Sequence, residues 1–68
     1  MLTEVLAVGD EVFDNEGYKY LVIKALPKEI VLEQTPQTST YKWFIFVRNR
    51  RGEWRDREDE GIHLVEIL

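Results

Sequence analysis

Residues 46–61 read FVRNRRGEWRDREDEG. Arg48, Arg50, Arg51, Arg55 and Arg57 fall within ten positions, with only Glu53 and Asp56 against them and Trp54 in their midst. Guanidinium groups grouped in this way contact phosphate oxygens, base edges or the carboxylates of an acidic protein, and an indole among them can stack on a base. The chemistry is therefore non-covalent recognition. Arg48, Arg50, Arg51, Trp54, Arg55 and Arg57 form a candidate finger for a protein partner or for nucleic acid. A solvated hairpin tip accounts for the same residues. In that case Arg48 lies near Glu53, Asp56 lies near Arg55 and Arg57, and each exposed pair contributes only ~0–1 kcal/mol. Glu58, Asp59 and Glu60 follow at once and would repel phosphate.

Metal and covalent chemistry find little support. Asp56-Arg57-Glu58-Asp59-Glu60-Gly61 begins like a calcium loop, with an acid at the first, third and fifth places and glycine sixth. Glutamate is too long for the third and fifth places, and the twelfth position is Ile67 rather than glutamate. His63 is the one histidine and there is no cysteine, so the common zinc sites cannot be built. His63 sits among Ile62, Leu64 and Val65, as a residue pointing outward from an edge strand or packing there. Ser39 is the one serine, and its only candidate base is His63 at a spacing that matches no known nucleophile signature. The glycines are isolated, so no phosphate loop exists. No enzyme activity, cofactor or metal is expected.

The elements that must position these residues are strands. Sixty-eight residues allow one domain, residues 1–68. A chain this short buries only ~60% of the surface it exposes when unfolded. The net charge of −4 opposes general phosphate binding, although a local basic patch can act against it. No apolar run approaches the ~18 residues of a membrane span, and MLTEVLAVGD lacks a basic leader, so a cytoplasmic chain is expected. Apolar and aromatic runs at 11–13, 18–26, 28–34, 41–48, 53–57 and 62–68 are separated by turn residues. Residues 35–40 are polar, carry Pro36 and read as a loop. Asp14-Asn15-Glu16-Gly17 and Asn49-Arg50-Arg51-Gly52 share one design, with Asx first and glycine fourth. The Asx side chain accepts a backbone N–H, and the glycine takes the positive φ of a type I turn followed by a bulge. Arg50 and Arg51 then stand at a hairpin tip. Five or six short antiparallel strands with little or no helix make a mostly β fold, a small barrel or sandwich.

Val8-Gly9-Asp10-Glu11-Val12, the turn at Gly17 and Tyr20-Leu21-Val22-Ile23 resemble the opening of SH3-like barrels of the KOW and Tudor type. The resemblance covers about the first third of the chain. It implies a small barrel and a binding role, and it names no ligand.

One strand carries more apolar surface than a barrel interior can cover. Within 41–48, Tyr41, Trp43, Ile45 and Val47 share one face, and Phe44 and Phe46 share the other between Lys42 and Arg48. The second face must be covered by the terminal segment 1–8, by the 35–40 loop, by a second copy in a homodimer, or by a ligand. Tyr41, Trp43, Phe44 and Phe46 are therefore the candidate aromatic contact surface. The function expected is a small non-catalytic interaction or regulatory module for a protein partner, itself included as a homodimer. The alternative is a nucleic-acid-associated module using the arginine hairpin 48–57.

Overall fold

The computed structural model describes residues 1–38 and 40–68. Ser39, the one nucleophile considered above, lies outside them. Six strands form in the described residues, and no helix does: β1 (Glu11–Asp14), β2 (Lys19–Leu26), β3 (Glu29–Gln34), β4 (Phe44–Arg48), β5 (Trp54–Asp56) and β6 (Leu64–Ile67). They make one antiparallel sheet in the order β5-β4-β3-β2-β1-β6. An isolated bridge from Arg55 to His63 brings the two ends of this order together, so the sheet is nearly closed into a barrel. This agrees with the expected mostly β, SH3-like architecture. Two register shifts, between Val22 and Lys24 against β3 and between Phe13 and Asp14 against β6, supply the local bends that curl so short a sheet.

Both expected turns form as their residues dictate. Asp14 Oδ1 accepts from the amides of Glu16 (2.8 Å) and Tyr18 (3.0 Å), and Asn49 Oδ1 accepts from those of Arg51 and Glu53 (both 2.9 Å). Gly17 and Gly52 take φ of 89° and 81°, a region that costs a side chain and that glycine enters freely. Arg50 and Arg51 stand exposed at the second tip.

The interior holds Leu2, Leu6, Val12, Tyr20, Val22, Ile30, Leu32, Phe46, Trp54 and Leu64. Residues opposite each other across a ladder share a face, so Ile30↔Phe46 and Leu32↔Phe44 turn both phenylalanines inward with the buried pair of β3. This corrects the expected aromatic surface. Phe46 is fully buried and cannot meet a partner, and Phe44 is half-buried against the core. Tyr41 and Trp43 precede β4 rather than belonging to it. β3 ends at Gln34, whose side-chain oxygen accepts from the Thr38 hydroxyl (3.1 Å) and draws the loop away from the sheet before a ladder with 41–43 can form.

The N-terminal segment, one of the covers expected for the second face of β4, does not cover that face and closes the seam instead. Among the described residues, β5 is joined to the residues leading into β6 by the isolated Arg55–His63 bridge and the Asp56 N to Ile62 O bond (2.9 Å). Leu2 donates its amide to Leu64 O (3.0 Å), and Leu2 and Leu6 are buried in the core. The Trp54 indole N–H donates to Glu4 O (2.8 Å), and Arg48 Nη2 donates to Thr3 O. The strap thereby occupies a backbone carbonyl on the β6 edge and is held to the β4–β5 hairpin by two side chains.

Asp14 joins the turn to the core. It is buried, and its second carboxylate oxygen accepts the buried Tyr20 hydroxyl at 2.7 Å. Asp14→Ala removes three acceptor contacts and strands a buried hydroxyl, a loss of about 3 kcal/mol. Urea unfolding followed by far-UV dichroism should show a large fall in midpoint for Asp14→Ala and a much smaller one for Asp14→Asn, which keeps an acceptor for the turn.

Candidate functional site: an aromatic groove with an acidic wall

The arginine cluster divides once strand parity is fixed. Arg48↔Trp54 and Phe46↔Asp56 are opposite pairs, so Arg48 and Trp54 share the inward face with Phe46. Trp54 is 1% exposed, and the Arg48 guanidinium carbon lies 5.6 Å from the centre of its ring. Arg48 also donates from Nε to Gly52 O (3.1 Å). These two residues are structural: a buried indole capped by a cation whose hydrogen bonds go to backbone carbonyls. Arg55 folds back on Glu60 O (2.8 Å) and the Glu53 carboxylate (3.4 Å), and Arg57 lies 3.6 Å from Glu58. Of the six candidate finger residues, only Arg50 and Arg51 project from the tip.

The expected ion pairs are also rearranged. Glu53 turns from Arg48 to Asn49, whose Nδ2 donates at 2.8 Å and holds the carboxyl below its ordinary value. Asp56 turns away from both flanking arginines into the barrel end, where its Oδ1 accepts the Glu58 amide (2.9 Å). Its inward face follows from its parity with Trp54. The calcium-like run is used by the fold itself: Asp56 and Asp59 each accept an amide two residues on, and Ile62 N closes on Asp59 O. Among the described residues no group of three or more His, Cys, Asp or Glu side chains is arranged to hold a metal ion. His63 is half-buried beside the seam with Nδ1 enclosed, and its amide donates to Asn15 Oδ1 (3.0 Å).

The arrangement with chemistry to offer lies at the end of the barrel opposite the arginine tip. In a meander, alternate turns fall at alternate ends. The β1–β2 turn, the β3–β4 loop and the β5–β6 loop therefore share one end, and the β2–β3 and β4–β5 turns share the other. At the first end a line of rings runs outward from the core. Phe46 meets Tyr20 edge-on (5.5 Å between centres), Tyr20 meets Phe44 (5.5 Å), and Phe44 meets Tyr41 (6.4 Å). Tyr41 and Trp43 are 70% and 61% exposed. With Phe44 they form one wall of a groove of about 470 Å³, and Asp56, Glu58 and Asp59 form the other with Arg57 among them. A second hollow adjoins it and contains Asp14, Glu16, Tyr18 and Gln34. Exposed ring faces beside carboxylates are the chemistry that holds a cation.

The polar floor of this end titrates. Burial raises the Tyr20 hydroxyl above its ordinary value of 10.0, and the adjacent Asp14 carboxylate raises it further. Folded Tyr20 thus keeps its proton where unfolded Tyr20 has lost it, so stability falls as pH rises above about 10. Burial likewise raises Asp56 above its ordinary 3.8. Its protonated form favours the fold, and that contribution is lost as pH rises from about 3.8 through the raised folded value. Asp56→Asn should flatten this acid-side fall in melting temperature while leaving the alkaline fall to Tyr20. Melting curves of both proteins across the pH range check it.

The sequence offered Tyr41, Trp43, Phe44 and Phe46 together without deciding which of them are exposed, and it missed the acidic wall and the buried Asp14, Tyr20, Gln34 and Asp56. The available signal was parity within EWRDR, where Asp56 shares a face with Trp54. Comparison with known proteins finds no matching family model, no matching curated protein and no matching solved structure. No helix among the described residues is long and apolar enough to cross a membrane.

Proposed function

We propose that the chain is a small non-catalytic interaction module that binds a protein partner through the groove between Tyr41-Trp43-Phe44 and Asp56-Glu58-Asp59. The partner chemistry that fits is an extended segment rich in lysine or arginine. One observation carries the reading: two aromatic side chains stand exposed on a wall that faces carboxylates. A cationic stem can lie along the rings while its charged head meets the acidic wall. The KOW and Tudor resemblance of the opening strand is in keeping with a binding role, in the cytoplasm.

Trp43 provides the readout, because Trp54 is buried and Trp43 is not. A lysine- and arginine-rich peptide should shift Trp43 fluorescence saturably, and about 0.5 M salt should weaken the effect. A glutamate-rich peptide of equal length should do nothing. Equal responses to the two peptides, or none to either, would contradict the reading.

A second reading places nucleic acid at the opposite end. It is favoured by a contact the sequence did not show. The Pro27-Lys28 turn lies beside the arginine tip, with Arg48 N donating to Lys28 O (2.9 Å), so Lys28 joins Arg50 and Arg51 in one basic corner. On that reading, Arg50→Glu with Arg51→Glu removes a salt-sensitive affinity for a mixed-sequence oligonucleotide.

A further inference from the structure

The basic corner and the acidic groove lie at opposite ends of one small body. The β2–β3 and β4–β5 turns carry Lys28, Arg50 and Arg51, and among the described residues none of the three has a carboxylate within ion-pair distance. The other end carries Asp56, Glu58 and Asp59 beside Tyr41 and Trp43. Arg50 and Arg51 project at a hairpin tip, while Lys28 and Arg50 also border a hollow of about 520 Å³ beside it. The acidic end is a groove of about 470 Å³. We infer that the groove of one copy takes the Arg50–Arg51 tip of a second copy, head to tail. The inference rests on the groove being a cation site, as proposed above, and adds its occupant.

The charge balance permits this contact despite a net charge of −4 on each chain. Screening shortens electrostatic reach to ~8 Å at physiological ionic strength. The longest extent of the molecule is 30 Å, so approaching copies respond to the ends that face each other and not to the total. The two surfaces differ, which makes the contact heterologous, and such contacts chain or close into rings unless one surface is blocked. Two arginines meeting exposed rings and carboxylates form a salt-sensitive contact rather than a permanent one.

Blocking one surface at a time provides the test. Arg50→Glu with Arg51→Glu removes the tip. Glu58→Lys with Asp59→Asn removes the acidic wall and keeps an acceptor for the Gly61 amide that Asp59 holds. The wild-type chain should self-associate in sedimentation at about 0.15 M salt, with an association constant that falls at least about tenfold in about 0.5 M salt. Each variant alone should be a monomer with wild-type dichroism. Mixed in equal amounts, the two variants should form a one-to-one dimer that grows no further, because one intact tip meets one intact groove. A wild-type chain that stays monomeric at every concentration in about 0.15 M salt overturns the inference. So does a salt-insensitive dimer, a mixture of folded variants that does not pair, or a basic corner that binds oligonucleotide while the chain stays monomeric. The basic peptide titrated into the dilute tip variant reads the groove separately. Peptide binding without self-association removes the second copy and leaves the groove; no peptide binding removes the groove reading itself.

Discussion

Trp54→Ala should leave most of the chain unfolded at room temperature. Trp54 is among the largest fully buried side chains, and it meets three different parts of the molecule. Its ring fills the core and lies under the Arg48 guanidinium, and its N–H donates to Glu4 O on the N-terminal strap. Truncation of a buried tryptophan typically costs about 3–5 kcal/mol. A domain of this size has only ~3–10 kcal/mol in total. The loss should extend to the strap, since Glu4 O loses its donor and Arg48 its ring. Trp54→Phe retains most of the volume and loses the hydrogen bond, so it should cost far less, about 1–2 kcal/mol. Urea titration with dichroism distinguishes the two. A Trp54→Ala midpoint close to wild type would mean that the hairpin packs elsewhere.

The second large effect concerns binding and not stability. Trp43→Ala should lower the affinity for a basic peptide by about tenfold or more, the range expected for an aromatic anchor at a contact. Its effect on folding should stay within about 0.5 kcal/mol, because the side chain is mostly exposed and lies outside the core. Glu58→Lys should act in the same direction. The Glu58 side chain is 84% exposed and its one ion pair, with Arg57, is a surface pair, so the reversal alters the acidic wall without disturbing the turn. Tyr41→Ala is less clean, since Tyr41 also packs edge-on against Phe44. Isothermal titration beside thermal melts checks both variants. A Trp43→Ala chain that binds as tightly as wild type would place the contact elsewhere.

Residue order alone revealed much of the barrel, for local reasons. Asp14 and Asn49 begin turns because their side chains reach amides two and four residues on, an interaction contained within five residues. Ile30 and Leu32 alternate with Glu29, Val31 and Glu33 along β3, a local pattern that matches their burial. The inward face of β4 was not legible, because both of its faces are apolar and the deciding information is register. The loop between Gln34 and Phe44 is too long to fix register locally, and only the pairs Ile30↔Phe46 and Leu32↔Phe44 settle it. The arginines misled for a related reason. Their density suggested one finger, but parity and the turn give them separate roles: Arg48 over Trp54, Arg50 and Arg51 on the tip, Arg55 on Glu53 and Glu60. The acidic wall was hidden because Asp56 belongs to one hairpin and Tyr41 and Trp43 to the loop before the preceding strand, so their meeting is tertiary.

The most direct test of the groove as a cation-recognition site is amide and indole chemical-shift mapping on isotope-labelled protein during titration with a lysine- and arginine-rich peptide. The reading requires the largest shifts at the Trp43 indole and at the Tyr41, Glu58 and Asp59 amides, with the Trp54 indole nearly still. Shifts confined to the β4–β5 tip, or spread evenly over the barrel, would contradict it.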